Sequence, residues 1–293
     1  RKMKKVYFSR TIDKFLLEWK NDRTHKPLLL RGARQVGKSS AIRQLGKTFK
    51  YFLEVNFERD KEIATVFSGN LKPQEIASRL STYYGIPVIP GNTLLFLDEI
   101  QACPDAIHSL WFFHEDYHEL HVAAAGSLLE FTLKKMTSFG VGRIRSLFMY
   151  PMSFDEFLNA TGNTTWIEAK QNASPEQPIF EALHEKLVEY FRIYLMVGGM
   201  PESVANWLET GDYIKCQQIQ DDIILAYEDD FSKYEEKIDS LLLRQTLHSV
   251  ALQIGGKFVY SNVSGNHRIE KIKEALELLK NAGLITPVIH SSA

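Results

Sequence analysis

Residues Gly32-Ala33-Arg34-Gln35-Val36-Gly37-Lys38-Ser39 fill every position of the pattern G-x-x-x-x-G-K-[ST]. Their surroundings fit as well. Pro27 opens the apolar run Leu28-Leu29-Leu30, which reads as a buried strand. From Lys38 to Phe49, Ala41, Ile42, Leu45 and Phe49 share one face of a helix. A strand, a glycine turn and a helix in that order make an anion cradle. Glycines let the backbone curl until successive N–H groups point inward, and the helix aims its positive end at the same place. Lys38 is then placed for the β- and γ-phosphates of a nucleotide, and the Ser39 hydroxyl for Mg²⁺. Residues 32–40, with Ser40 as the last, form the candidate nucleotide-binding set.

A second constraint lies sixty residues past Lys38. Leu94-Leu95-Phe96-Leu97 is a continuous apolar run that ends in Asp98 and Glu99. A carboxylate at the end of a parallel neighbour strand is suited to hold Mg²⁺ through water, and Asp98 takes that role. Glu99 is then the candidate to accept a proton from an attacking water or to orient it. The other reading of Asp98 is a cap on the turn after the strand.

Further strands are expected at 51–57, 121–125 and 147–150. Helices are expected at 11–20, 60–67, 73–84, from Pro104 to about Leu120, and at 127–137. Short apolar strands alternating with helices predict an α/β domain, a parallel sheet covered on both faces, over residues 1–150. At Pro151 the texture changes. Helices are expected at 153–160, 179–196, 201–210 and 212–230, with 161–178 as a polar loop, giving an all-α unit over 151–235. Residues 236–293 read as part of a winged helix: helices at 239–254 and 268–282, then a strand from Leu284 as the start of a wing.

Composition removes several alternatives. Lys plus Arg number 35 against 36 Asp plus Glu, a net charge of −1, which excludes a dominant polybasic surface. Two cysteines, Cys103 and Cys216, make neither a disulfide framework nor a four-cysteine zinc site, and a reducing, cytoplasmic setting is expected. No apolar run reaches the roughly 18–20 residues that span a bilayer, so no membrane partner is expected. The start lacks Met, and the end stops after an apparent strand; both suggest that the natural chain is longer. His114-Glu115-Asp116-Tyr117-His118 matches the letters H-E-x-x-H, but it falls on the helix after the acidic strand and reads as coincidence.

RGARQVGKSS, LLFLDEIQ, AAGSLLEF, GR followed by MYPMSFDEF, and YLMVGGMPESV, in that order, resemble one family. It is that of the prokaryotic AAA+-type (ASCE) P-loop ATPases, in which the ATPase core is followed by a helical lid, a winged-helix-like segment and a C-terminal domain of unknown function. The resemblance covers nearly the whole chain. It implies ATP as the nucleotide, in keeping with the lack of an N-K-x-D motif for guanine. It implies that Ser127 helps to position the attacking water; a helix N-cap is the other reading of that serine. It implies that Arg143 is an arginine finger on a neighbouring subunit, with Arg145 as rival and an ordinary ion pair as the alternative. No sensor 2 arginine is read in the lid, and no chemistry attaches to Gly198-Gly199-Met200-Pro201-Glu202 beyond ending one helix and starting the next.

The expected function is thus Mg²⁺-dependent ATP hydrolysis coupled to lid motion. The alternative is an ATP-dependent switch with little turnover. A homo-oligomer, DNA or a protein are the candidate partners. His267, Arg268, Lys271 and Lys273 are placed for DNA, but the interleaved Glu270, Glu274 and Glu277 favour a solvated or protein-contact face.

Overall fold

Leu28–Arg31 (β1), Thr93–Asp98 (β3) and His121–Ala125 (β4) are buried at every position except Arg31, whereas Tyr51–Asn56 (β2) and Arg145–Phe148 (β5) are only partly covered. Strands apolar on both faces belong in the middle of a sheet. A computed structural model, which describes residues 7–69, 72–126, 142–231, 239–265 and 267–289, has that arrangement. The order is β2-β3-β4-β1-β5, all parallel, with Asn56 opposite Asp98, Asp98 opposite Ala125, and Leu30 opposite both Ala125 and Leu147. The acidic strand is therefore not the immediate neighbour of the strand before the glycine turn: β4 lies between them, which corrects the expectation of adjacent strands.

The strict alternation of a strand splits each run into two cores. Leu28, Leu30, Leu94, Phe96, Ala123 and Ala125 face one side and meet Thr11–Asn21 (α1) and Lys38–Gly46 (α2) through Ile12, Leu16, Trp19, Ala41, Ile42 and Leu45. Leu29, Leu95, Leu97, Val122 and Ala124 face the other. They meet a 3₁₀ segment at Lys61–Phe67, Pro73–Tyr84 (α3) and Pro104–Asp116 (α4). The expected α/β core with a two-sided parallel sheet is what forms.

The rest of the described chain is helical: Phe154–Ala160 (α5), Thr164–Gln171 (α6), Glu181–Val197 (α7), Pro201–Thr210 (α8), Tyr213–Phe231 (α9), Ser240–Leu252 (α10) and Ile269–Asn281 (α11). Met152, Phe157, Val197, Val204 and Cys216 form one core there. Phe231, Leu242, Leu243, Ile272, Ala275 and Leu279 form another. Two expectations change. The polar stretch 161–178 contains α6, which buries no residue completely and so leaves little apolar period in the sequence. Leu284 to Ile289 form no strand, and none is described anywhere in 239–289, so the described residues there are two helices and a short 3₁₀ turn at Tyr260–Asn262. The expected helix at 127–137 lies outside the described residues. Among those described, no helix is long and apolar enough to cross a membrane.

Candidate functional site: the phosphate loop and the end of β3

In a parallel sheet every strand delivers its carboxyl end to the same edge, and here that edge collects the turn after β1 and the acids after β3. Gly32 has φ +136°, and a Cβ there would stand 2.0 Å from the Met149 carbonyl oxygen, so only glycine fits. Gly37, at φ +102°, turns the chain into α2, and Gln35 is also left-handed at φ +65°. The curl is pinned from inside. Lys38 Nζ donates to the carbonyl oxygens of Gly32 and Ala33, each at 2.8 Å. Burial pulls the Lys38 ammonium down to about 8, with Glu99 and Asp98 opposing that shift.

Arg10 pins the curl from outside. Nearly buried at the N-cap of α1, it donates to the Val36 carbonyl at 3.0 Å, to the Tyr150 carbonyl at 2.7 Å and to Glu156 of α5 at 3.0 Å. Pro201, at the start of α8, stands over Gly37, where an added Cβ would be 3.8 Å away. Gly199 packs so closely on Met152 that a Cβ would meet the Met152 carbonyl oxygen at 2.3 Å, and Met152 N–H donates to the Gly199 carbonyl at 2.6 Å. The Gly-Gly-Met-Pro turn thus seats the helical unit against the loop.

Ser39 Oγ donates to Asp98 Oδ1 at 2.8 Å. Fifty-nine positions apart in sequence, the two are joined because α2 packs over β3 and β4. Asn56 Nδ2 donates to Asp98 Oδ2 at 3.2 Å from the paired end of β2, and Arg43 Nη2 stands 3.5 Å from the same oxygen while forking onto Glu54. Burial is the largest cause acting on the Asp98 carboxyl and raises it; the Ser39 bond works against that. Glu99 is left-handed at φ +50° and accepts from Gln101 Nε2 at 2.7 Å. Gln101 in turn fills the space that a side chain at Gly126 would need: a Cβ there would be 2.1 Å from Gln101 Oε1.

The donor set at Asp98 is all oxygen, with a hydroxyl and a carboxylate in contact, which suits a hard divalent cation such as Mg²⁺ better than a thiolate- or imidazole-seeking metal. His114 and His118 do not make a rival centre. α4 stops at Asp116, so they are not on one helix, and no group of three potential metal ligands occurs among the described residues.

Of the residues expected at the site, Gly32 to Ser39, Asp98 and Glu99 come together. Ser40 is exposed one position further along α2. Ser127 lies outside the described residues. Arg143 is elsewhere: it pairs with Glu115 at the end of α4 and covers the Trp111 ring at 5.0 Å. β5 starts two residues later, opposite Leu28, so Arg143 is at the amino end of the sheet, about 13 Å of strand from its own phosphate loop. Asn56, Gln101 and Arg10 were not legible as site residues. A polar residue at the end of a strand with alternating apolar positions was the signal available for Asn56.

Residues 24–158 match the family model described as an AAA domain, and residues 188–293 match a domain of unknown function, DUF8612. No curated protein matches the chain. Among solved structures, the Walker-type ATPase Paby2304 of Pyrococcus abyssi is 15% identical with a TM-score of 0.54, over 94% of this chain and 90% of that one, a likeness of fold. The Orc1 protein of Aeropyrum pernix, solved in complex with DNA, is 13% identical with a TM-score of 0.37, over 96% of this chain and 85% of that one; so loose a likeness carries nothing further. With its parallel five-stranded sheet, its glycine loop and the acids at the same edge, residues 24–158 are a P-loop domain of the AAA+ type, joined in this chain to a domain of unknown function.

Proposed function

We propose that the chain binds ATP with Mg²⁺ and hydrolyses its β–γ phosphoanhydride, and that the helical units move with the state of the site. The observation that carries this reading is the hydrogen bond between Ser39 and Asp98 beside a loop already closed by Lys38. Backbone N–H groups of residues 33–39 bind the phosphates, Lys38 stands against the β- and γ-phosphates, and Ser39 and Asp98 hold Mg²⁺. When bound there, Mg²⁺ would supply charge neutralisation for the phosphates. Glu99 orients a water and takes its proton, while Gln101 fixes the carboxylate. Ser127, following β4, assists in placing that water.

Arg143 belongs to a different site in the same chemistry. From the amino end of the sheet it serves only a neighbouring chain, so its role as a finger goes with a homo-oligomer. On α11, Lys271 and Lys280 pair with Glu274 and Glu277, and Lys273 lies over Tyr260, an arrangement that supports a protein-contact helix more than a DNA-reading one.

Steady-state hydrolysis with Glu99→Gln and Lys38→Ala tests the proposal. Glu99→Gln is expected to keep ATP and lose turnover by roughly 10²-fold or more, whereas Lys38→Ala loses both. Unchanged turnover in Glu99→Gln removes Glu99 from the chemistry. Tight binding with negligible turnover in the native chain favours the switch instead.

A further inference from the structure

One flank of the phosphate loop is held by the part of the chain that matches the domain of unknown function. Tyr227 Oη, on α9, donates to the Arg34 carbonyl oxygen at 2.7 Å. One helical turn on, Asp230 Oδ2 accepts from Arg34 Nη1 at 2.7 Å, with the Asp230 side chain only 3% exposed. Gly283, which follows α11 at φ +74°, comes so near that a Cβ on it would stand 3.2 Å from the Ala33 nitrogen. Tyr227 and Leu284 pack at once against the core beneath the loop and against the cluster of α9, α10 and α11. Residues 32 and 33 are those whose carbonyls receive Lys38 Nζ. A chain of contacts therefore runs from α9 and Gly283, through residues 32–34, to the ammonium that faces the phosphates.

We propose that Tyr227, Asp230 and Gly283 are positioning residues of the phosphate loop, so that nucleotide occupancy and the seating of α9 and α11 form one coupled equilibrium. The proposal rests on the nucleotide reading above and adds the route by which the C-terminal domain reads the site. Contacts that hold a loop in its binding geometry remove an ordering cost from binding. Coupling is reciprocal, so a nucleotide that favours this loop geometry must tighten the seat by the same factor.

The test is calorimetric titration of the full chain with Mg²⁺·ADP, for the native protein, Tyr227→Phe and Asp230→Asn. Tyr227→Phe removes one hydroxyl and keeps the ring, and is expected to weaken binding roughly 3–10-fold; Asp230→Asn is expected to weaken it by about tenfold. Turnover at saturating ATP should change less than about twofold in both. In the native protein, Mg²⁺·ADP should slow amide hydrogen exchange over residues 269–283, and Tyr227→Phe should diminish that protection. A merely structural role would lower the melting temperature and leave the dissociation constant and the protection unchanged, and that result overturns the proposal. Tighter binding in either variant overturns it as well. A native chain that takes up no nucleotide overturns the nucleotide reading and this proposal together, whereas native binding with unaltered variants overturns this proposal alone.

Discussion

Lys38 is a cation in a nearly dry cradle, hydrogen-bonded to the carbonyls of Gly32 and Ala33, and the charges of Glu99 and Asp98 oppose the effect of its burial. Its ordinary value of 10.5 falls to about 8 on burial. Between those two values the unfolded chain binds more protons than the folded one, so this group's contribution to stability rises with pH across that window and is unfavourable below it. Phosphate oxygens reverse the balance by holding the proton on. Nucleotide affinity is therefore expected to be flat below about pH 8 and to fall above it, up to tenfold per pH unit, in titrations across pH 7–9.5. Lys38→Met should abolish that slope along with most of the affinity, while the melting temperature of the nucleotide-free protein stays within a few degrees of native. Asn56 acts on the neighbouring carboxylate. With one hydrogen bond to Asp98 gone, Asn56→Ala is expected to raise the Mg²⁺ concentration for half-maximal hydrolysis several-fold, about the value of one such bond. At this scale the sequence was legible where chemistry is carried by neighbours in the chain: Gly32, Lys38 and Ser39 in one turn, Asp98 and Glu99 at one strand end. Asn56, Arg10 and Asp230 act across 42, 26 and 196 positions, and no local pattern marks such pairs.

Among elements, the amino end of the sheet is closed by an aromatic cluster. His25 and His121 stack at 3.8 Å with 9° between planes, Trp19 meets both edge-on, and Phe49 meets His121. His121 Nε2–H donates to the Lys20 carbonyl oxygen at 3.0 Å, and burial, then His25, pull its value from 6.5 to about 4. A folded value below the unfolded one means stability that is complete above about pH 6.5 and lost as pH falls towards 4. Replacing His121 with Phe should flatten the melting temperature against pH in that window. A native protein whose stability does not change between pH 6.5 and 4 contradicts this assignment. Element boundaries were legible where burial was two-sided, as in β1, β3 and β4. They slipped where it was not. β5 was expected at 147–150 and forms at 145–148, because Met149 and Met152 are buried beneath the loop and in the helical core rather than in the strand. α6 went unseen because it lies on the surface of α5 with no fully buried face.

Over the whole molecule, the phosphate loop is grasped from three sides. Arg10 reaches it from α1, Pro201 stands over it from α8, and Tyr227, Asp230 and Gly283 hold its first residues. Pairwise contacts of this kind link the P-loop domain to both helical units, and they are the contacts through which the proposed coupling would run. All of it depends on the loop receiving a nucleotide. The direct measurement is calorimetric titration of the native chain and of Lys38→Ala with Mg²⁺·ATP at pH 7.5. One saturable site in the native protein, lost in Lys38→Ala with the melting temperature preserved, is the expected result. Heat from neither protein, both being folded, or equal binding in both, would contradict the account.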